Sequence, residues 1–502
     1  MLNGDSFSIS GEICRNLLTV AVIAHLDQAE DIPHAFRQLL LHNLITYSLN
    51  LNIMRAILTG ILLAAATTSL YAQQHETILL NATIIDGTGR APQPNTAVIL
   101  RNGKIAGITR GKIKPATDAI QVDCSGKFIM PEIIDCHSHV GNLKGTTTSG
   151  ENYTSENVRH QLARFQDYGV GAILSMGTEQ PVGLAIRDSS KNGLIPGATM
   201  FSAIYGFGVK GAMPPEAMGM THVYRPETPE EAAAQVQELV AFRPDIVKIW
   251  VDDFFGQFRK DQIMKPEIYT AIIKEAHKHN IRVAAHLYHV SDAYNLVEAG
   301  LDIIAHSIRD AEIDDFLLQE IKKKKVTYIP TLSLDEFAYI YEGNPGWLDD
   351  PFFRNSLEPG VYEMITSAAY KDKISKSLVT PQEKTALDVA LKNLLKLYRA
   401  GIPIALGTDA GASPIRAQGF SEHMEMELMV KAGLTPLEAI TVATGNGAKL
   451  LRIDDVQGTL QAGKKADLII LDKDPLEDIR NTRSISSVWK DGVKVSNGPV
   501  AH

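Results

Sequence analysis

Five apolar runs in this chain each carry, at or near their carboxyl end, a side chain able to bind a metal ion. They are IIDCHSH (133–139), DIVKIWV (245–251), IRVAAH (281–286), LDIIAH (301–306) and IPIALGTD (402–409). Short continuous apolar runs of this kind mark parallel strands buried on both faces. Side chains alternate along a strand, so His137 and His139 are expected on one face, with Cys136 and Ser138 on the other. Together with Lys248, His286, His306 and Asp409 they form a set of imidazoles, one lysine and one carboxylate at strand ends. A two-metal hydrolytic centre requires such a set.

The runs belong to a longer alternation. Strand-like segments at 133–139, 170–175, 199–204, 245–251, 281–286, 301–306, 325–331 and 402–409 are separated by helix-like ones, among them 267–280, 291–300 and 435–451. A Ser or Thr cap is expected at the start of the last two helices. Eight strands with intervening helices predict an α/β fold, a (β/α)8 TIM barrel spanning 129–454. A doubly wound open sheet would need a glycine-rich phosphate loop after an early strand, and none follows. The ends differ in texture. Residues 77–128 and 455–497 are short β-like runs with turns such as Asn102-Gly103, which predicts one small β-sandwich built from both termini. The long segment 332–400 reads as an insertion. Its aromatic part, 337–353, is expected either to cover the barrel mouth or to pack as a small satellite core. A second unusual loop, 205–225, should lie at the same rim.

With 502 residues, 45% hydrophobic and 21% charged, the chain can bury a large core. A net charge of −9 gives no basic face for nucleic acid or an anionic membrane. Of the three cysteines, Cys124 and Cys136 are expected as separate buried thiols, with a pairing of the two in an oxidising compartment as the alternative. From Met54 the sequence MRAILTGILLAAATTSLYAQQ reads as a secretory signal peptide (54–72) with cleavage after Ala72. Its apolar core is too short to span a membrane. Residues 1–53 then come from a start codon placed too far upstream; the alternative is a genuine extension with a buried helix at 57–66. The expected mature protein begins near Gln73 and is periplasmic or secreted, with no membrane partner, and a homo-oligomer is left open.

With those residues placed, the chain resembles the amidohydrolase superfamily, in its imidazolonepropionase-like and prolidase-like branch. TIIDGTG and the NGKI turn resemble the family's N-terminal sandwich, and PEIIDCHSH its strand-one motif. IVKIW carries the strand-four lysine, AAH and IAH the histidines of strands five and six, and GTDAG the strand-eight aspartate. AGLTPLEAITVATGNGAKLL and GTLQAGKKADLIILD are similar to the C-terminal signature. The resemblance covers roughly 77–495, with one departure: Glu132 stands where the family usually has glycine.

The residues and the resemblance together predict hydrolysis of an amide, peptide or cyclic amide C–N bond in a small molecule by a metal-activated hydroxide. An ester, lactone or phosphotriester is the alternative bond, and a binding protein on a degenerate barrel the third reading. Nitrogen and oxygen donors without thiolates suit two divalent ions, Zn²⁺ first. His137, His139 and Asp409 would hold one ion, His286 and His306 the other. The residues alone leave Lys248 open to an ion pair with Asp252 or Asp253. The resemblance implies instead carboxylation by CO₂ to a carbamate bridging the two metals. Asp409 would carry the proton to the leaving nitrogen. Tyr288, His289, Arg309 and Arg416 are candidate substrate contacts, the arginines for a carboxylate. His423 reads as a packing or supporting residue.

Overall fold

The computed structural model describes Gln38 and residues 76–499, except 112, 114, 116, 254–257, 260 and 261. The chain divides into two compact units, and the account below concerns the second, residues 75–502. The segments expected to be a signal peptide (54–72) and an upstream extension (1–53) lie outside the described residues, Gln38 apart.

Both ends of this unit meet in one eight-stranded sheet. The N-terminal strands are β1 (Thr77–Ile84), β2 (Gln93–Arg101), β3 (Lys104–Thr109), β4 (Ile120–Asp123) and β5 (Phe128–Pro131). The β2–β3 turn places Asn102 and Gly103 at φ 53° and 74°, as a tight hairpin requires. The C-terminal strands are Leu468–Leu471, Ile485–Lys490 and Val493–Ser496, and the first of these pairs antiparallel with β5, Leu468 opposite Pro131. β1 bends at Asn81 (φ 63°) and pairs first with β4, then with β5. The sheet closes over its own apolar core, which includes Leu79, Val98, Ile129, Leu468 and Trp489.

Between these ends runs the alternating middle. β6 (Ile133–Ser138) is followed by a small hairpin of β7 (Leu143–Lys144) and β8 (Thr147–Thr148). Then come β9 (Val170–Ser175), β10 (Thr199–Ser202), β11 (Val247–Trp250), β12 (Val283–His286), β13 (Ile303–Ala305) and β14 (Thr327–Ile329). All seven long strands are parallel, in two sheets ordered β10-β9-β6 and β11-β12-β13-β14. The gap between β10 and β11 is bridged by Phe207, which pairs with Ile249. The other gap is filled by 402–410, which contains the predicted eighth strand (402–409) and pairs at Ile404 with Tyr328 and at Ala410 with Ser138. This segment forms no continuous ladder, but backbone hydrogen bonds tie it to both neighbours, from Ala405 N–H to the Tyr328 carbonyl and from Cys136 N–H to the Leu406 carbonyl among them. Gly407 lets it approach β6 closely: a Cβ there would lie 2.7 Å from His137 Cβ. The ring is therefore closed by eight parallel segments.

One face of the ring carries Ile134, Cys136, Ala172, Leu174, Ile246, Ala284 and Ile303, a small interior core. The opposite face packs on the surrounding helices in the main core. Cys136 thus lies inside the barrel, which corrects the expectation that it points away from the interior. A β-bulge explains this. Asp135 pairs with Ile173 but Ser138 with Ser175, so β6 holds one extra residue and its alternation flips between Cys136 and His137. Cys136 and Cys124 are separate, buried free thiols.

Helices occur where periodicity predicts them, at Pro266–Lys278 and Val290–Ala299. The second is capped by the backbone of His289, without the expected Ser cap. The expected helix over 435–451 opens on a Thr435–Glu438 capping box and is interrupted by a π-turn at Val442–Asn446. In segment 332–400 the aromatic run is core. Phe337, Tyr341 and Phe353 are buried, and Trp347 packs 4.6 Å from the Phe353 ring and 4.9 Å from Phe420. None of these rings lines the barrel mouth. This decides against the lid: the rings find one another and Phe420, which removes more apolar surface from water than a place over the mouth.

Candidate metal centre

The bulge in β6 turns His137 and His139 into the carboxyl-terminal mouth of the barrel. Lys248 follows Ile246 on the interior face of β11, and His286 follows Ala284 on β12. Trp250 is the register partner of His286, so their side chains are neighbours. His306 and Asp409 sit just past β13 and at the end of the eighth segment, both with left-handed backbone (φ 100° and 59°). Non-glycine residues adopt that conformation only where the surroundings enforce it.

The predicted ligands come together. Asp409 Oδ1 lies 3.1 Å from His139 Nε2 and 3.3 Å from His137 Nε2. Lys248 Nζ is 3.3 Å from His137 Nε2. The His306 ring stands between those of His137 and His286, at 4.3 and 4.2 Å. Ligand atoms of His137, His139 and Asp409 fall within 4.8 Å of one another, as one metal ion would need.

Their protonation suits metal binding. Burial first, then the Lys248 charge, holds the His137 imidazole well below its ordinary range. Burial likewise lowers His286, and burial with the neighbouring imidazoles lowers His306 strongly. Burial alone would raise the Asp409 carboxyl. The Arg416 guanidinium, bonded to Oδ2, and the two imidazoles outweigh it and keep Asp409 well below the usual carboxylate range. Burial brings the Lys248 ammonium down to about 7, against the pull of Asp409 and Asp252. Imidazoles held low at His137, His286 and His306, a carboxylate held low at Asp409 and an amine brought down at Lys248 belong to an all-nitrogen and oxygen donor set that fits divalent metal ions.

Partners behind the ligands fix ring orientation. Thr178 Oγ1 is 3.1 Å from His139 Nδ1, Thr331 Oγ1 is 2.8 Å from His306 Nδ1, and Asp252 Oδ2 is 2.8 Å from His286 Nε2. The two threonines were not foreseen, although Thr178 stands just past the predicted strand 170–175 and Thr331 closes the predicted strand 325–331, where polar residues are worth reading. Asp252 was foreseen only as a partner for Lys248.

The mouth is a cavity of about 310 Å³. Among the candidate substrate contacts, Arg416 and Arg309 line it. Arg309 is already engaged, 3.1 Å from Asp335, 2.8 Å from the Ser307 carbonyl and over the Tyr288 ring at 4.8 Å. Tyr288 is thereby a support for Arg309. His289 is held between Asp253 and Asp310, each at 3.1 Å, outside the lining. Both differ from the expected substrate contact because nearer polar partners take them. His423 is buried in packing, bonded to Thr482 and the Tyr168 carbonyl. The rim loop expected at 205–225 does line the mouth, through Met213, Pro214, Pro215, Met218 and Met220.

The chain is similar to several known proteins. Ochratoxinase of Aspergillus niger is 25% identical over 84% of this chain and 87% of its own length. Imidazolonepropionase of Nocardia farcinica is 24% identical over 79% and 91%. The solved structure of a Xaa-Pro dipeptidase with bound methionine in the active site superposes with a TM-score of 0.67 at 23% identity, covering 84% of this chain and 99% of that one. Residues 128–495 match the amidohydrolase family itself. By that match over most of its length, the chain belongs to the amidohydrolase family of hydrolytic enzymes.

Proposed function

We propose that this chain is an exported, metal-dependent amidohydrolase that cleaves an amide, peptide or cyclic amide C–N bond of a small molecule. The observation that carries the reading is the convergence of four imidazoles, Lys248 and Asp409 at the mouth of one barrel. Relatives that hydrolyse or open C–N bonds support the bond class. The export call rests on the segment 54–72 alone. The sheet shared by both termini serves in this reading as the small β-sandwich of the family.

His137, His139 and Asp409 would hold one divalent ion and His286 and His306 a second, zinc by donor type. Such ions supply Lewis acidity for the scissile carbonyl and lower the pKa of water. The residues do the rest. Lys248, poised near 7, offers an amine lone pair that adds CO₂ and releases a proton, and the resulting carbamate would lie between the two sites. Asp409, ionised and oriented by Arg416, takes the proton of the attacking water and returns it to the leaving nitrogen. Thr178, Thr331 and Asp252 hold the imidazoles in place.

Metal analysis with a hydrolysis panel of N-acyl amino acids, dipeptides, lactones and phosphotriesters tests the reading. The expected result is about two ions per chain and turnover of amides. Lys248→Met should lose metal and activity together; if it keeps two ions and full turnover, Lys248 has no bridging role.

A further inference from the structure

Two unlike sets of side chains line the mouth: the imidazoles with Asp409, and the apolar Met213, Met218, Met220, Trp250 and Leu334. Of the apolar set, Met218, Met220 and Trp250 pack together as one wall beside His286. The polar groups near the ligands are engaged with one another. Asn142 Nδ2 donates to the Thr178 carbonyl and hydroxyl, and Thr178 also holds His139. The apolar wall therefore offers a substrate almost nothing but surface.

That wall has a fixed backbone. Gly208 N–H donates to the Tyr224 carbonyl and Tyr224 N–H to the Gly206 carbonyl, each at 2.9 Å, which closes the loop at its base. Arg225 bonds the carbonyls of Val209 and Pro214 from inside the loop. The tip is pressed against the segment before Asn152: a Cβ on Gly150 would lie 2.6 Å from the Gly219 carbonyl carbon. Trp250 is seated by Gly206, where a Cβ would come 2.7 Å from its ring, and it packs with Met220 and Val223, Met218 lying against that cluster. A rigid frame thus presents unbranched thioethers, which adapt to differently shaped apolar partners.

From this we infer that the Met213–Met218–Trp250 wall sets specificity. It selects amides that carry a bulky apolar group, of aromatic size and tolerant of shape, on one side of the scissile bond. The inference rests on the amide-hydrolase reading. A bulky group seated there displaces water from apolar side chains, and a small polar substrate leaves them wet.

The zinc-loaded protein is assayed on N-acetylglycine, N-acetylphenylalanine, N-(1-naphthoyl)glycine and N-(1-naphthoyl)phenylalanine. At least one bulky substrate should exceed N-acetylglycine in kcat/KM by roughly tenfold or more. In Met213→Ser/Met218→Ser that ratio should fall about tenfold, with zinc content and thermal midpoint measured alongside. Met218→Gln, of similar length, is the second variant and should move the ratio the same way. Cleavage of N-acetylglycine as fast as the bulky substrates, or a ratio unchanged in both variants, overturns the inference and leaves the hydrolase reading standing. If the zinc-loaded protein cleaves no amide at all, the hydrolase reading fails and the inference fails with it.

Discussion

Glu132 occupies the space that a side chain at residue 171 would need. A Cβ on Gly171 would lie 2.7 Å from Glu132 Cδ and 2.8 Å from its Cβ. Glu132 is buried, and burial together with the nearby Asp467 pushes its carboxyl well above the ordinary range. The one departure from the family pattern is therefore matched by a glycine on the neighbouring strand. Gly171→Ala should destabilise the fold by about 1–3 kcal/mol through overpacking. Adding Glu132→Gly should recover part of that loss in urea unfolding. If the two changes are additive, the positions do not share this space.

Asp409 should govern the acid side of the activity profile. It must be ionised to take a proton, and Asp409→Asn should lower kcat by roughly 10²-fold or more. Arg416 holds the carboxyl low, so Arg416→Met should raise its pKa. Activity would then begin to fall at a higher pH than in the parent. An acid limb that stays where it was would show that another group controls it.

His423 should make the fold acid-sensitive. Its ordinary value of 6.5 applies in the unfolded chain, and burial lowers it to about 3 in the fold. Between those values the unfolded state binds more protons, so this contribution to stability is complete above 6.5 and is lost as pH falls toward 3. The whole window is worth roughly 3–5 kcal/mol. His423→Gln keeps one donor and one acceptor without titrating, and its stability should decline less steeply on acidification. Parallel curves for the two proteins would rule the assignment out.

Trp347→Ala should cost about 3 kcal/mol by emptying the ring cluster of Phe353 and Phe420. The ranking of substrates should not change, because no ring of that cluster lines the mouth. A changed ranking with an unchanged thermal midpoint would return this segment to the role of a cover.

Much of this was legible in the sequence because the signals were local. The run at 170–175 became a strand with those bounds, since Val170 and Ile173 find the outer core while Ala172 and Leu174 find the interior one. The candidate ligands stood out because each lies at or near the end of an apolar run. The bulge in β6 was not, because an extra residue shows only when a partner strand is laid beside it. The eighth segment looked like a full strand, yet it forms no continuous ladder and is held by separate backbone hydrogen bonds to both neighbours. That Tyr288 and His289 lie outside the mouth lining was hidden for a related reason. Their partners, Arg309, Asp253 and Asp310, come from neighbouring strand ends, whose proximity depends on ring closure.

The pairing of β5 with Leu468–Leu471 also dictates an order of assembly. At about 5–20 residues per second, β5 leaves the ribosome tens of seconds before its partner strand exists. Until then its edge has open backbone donors and acceptors, which invite pairing with another chain. Leu468–Leu471 thus acts as a seal applied late, after the ring-forming strands have been made. A chain stopped short of Leu468 should retain the ring-forming strands, yet associate through the uncovered β5.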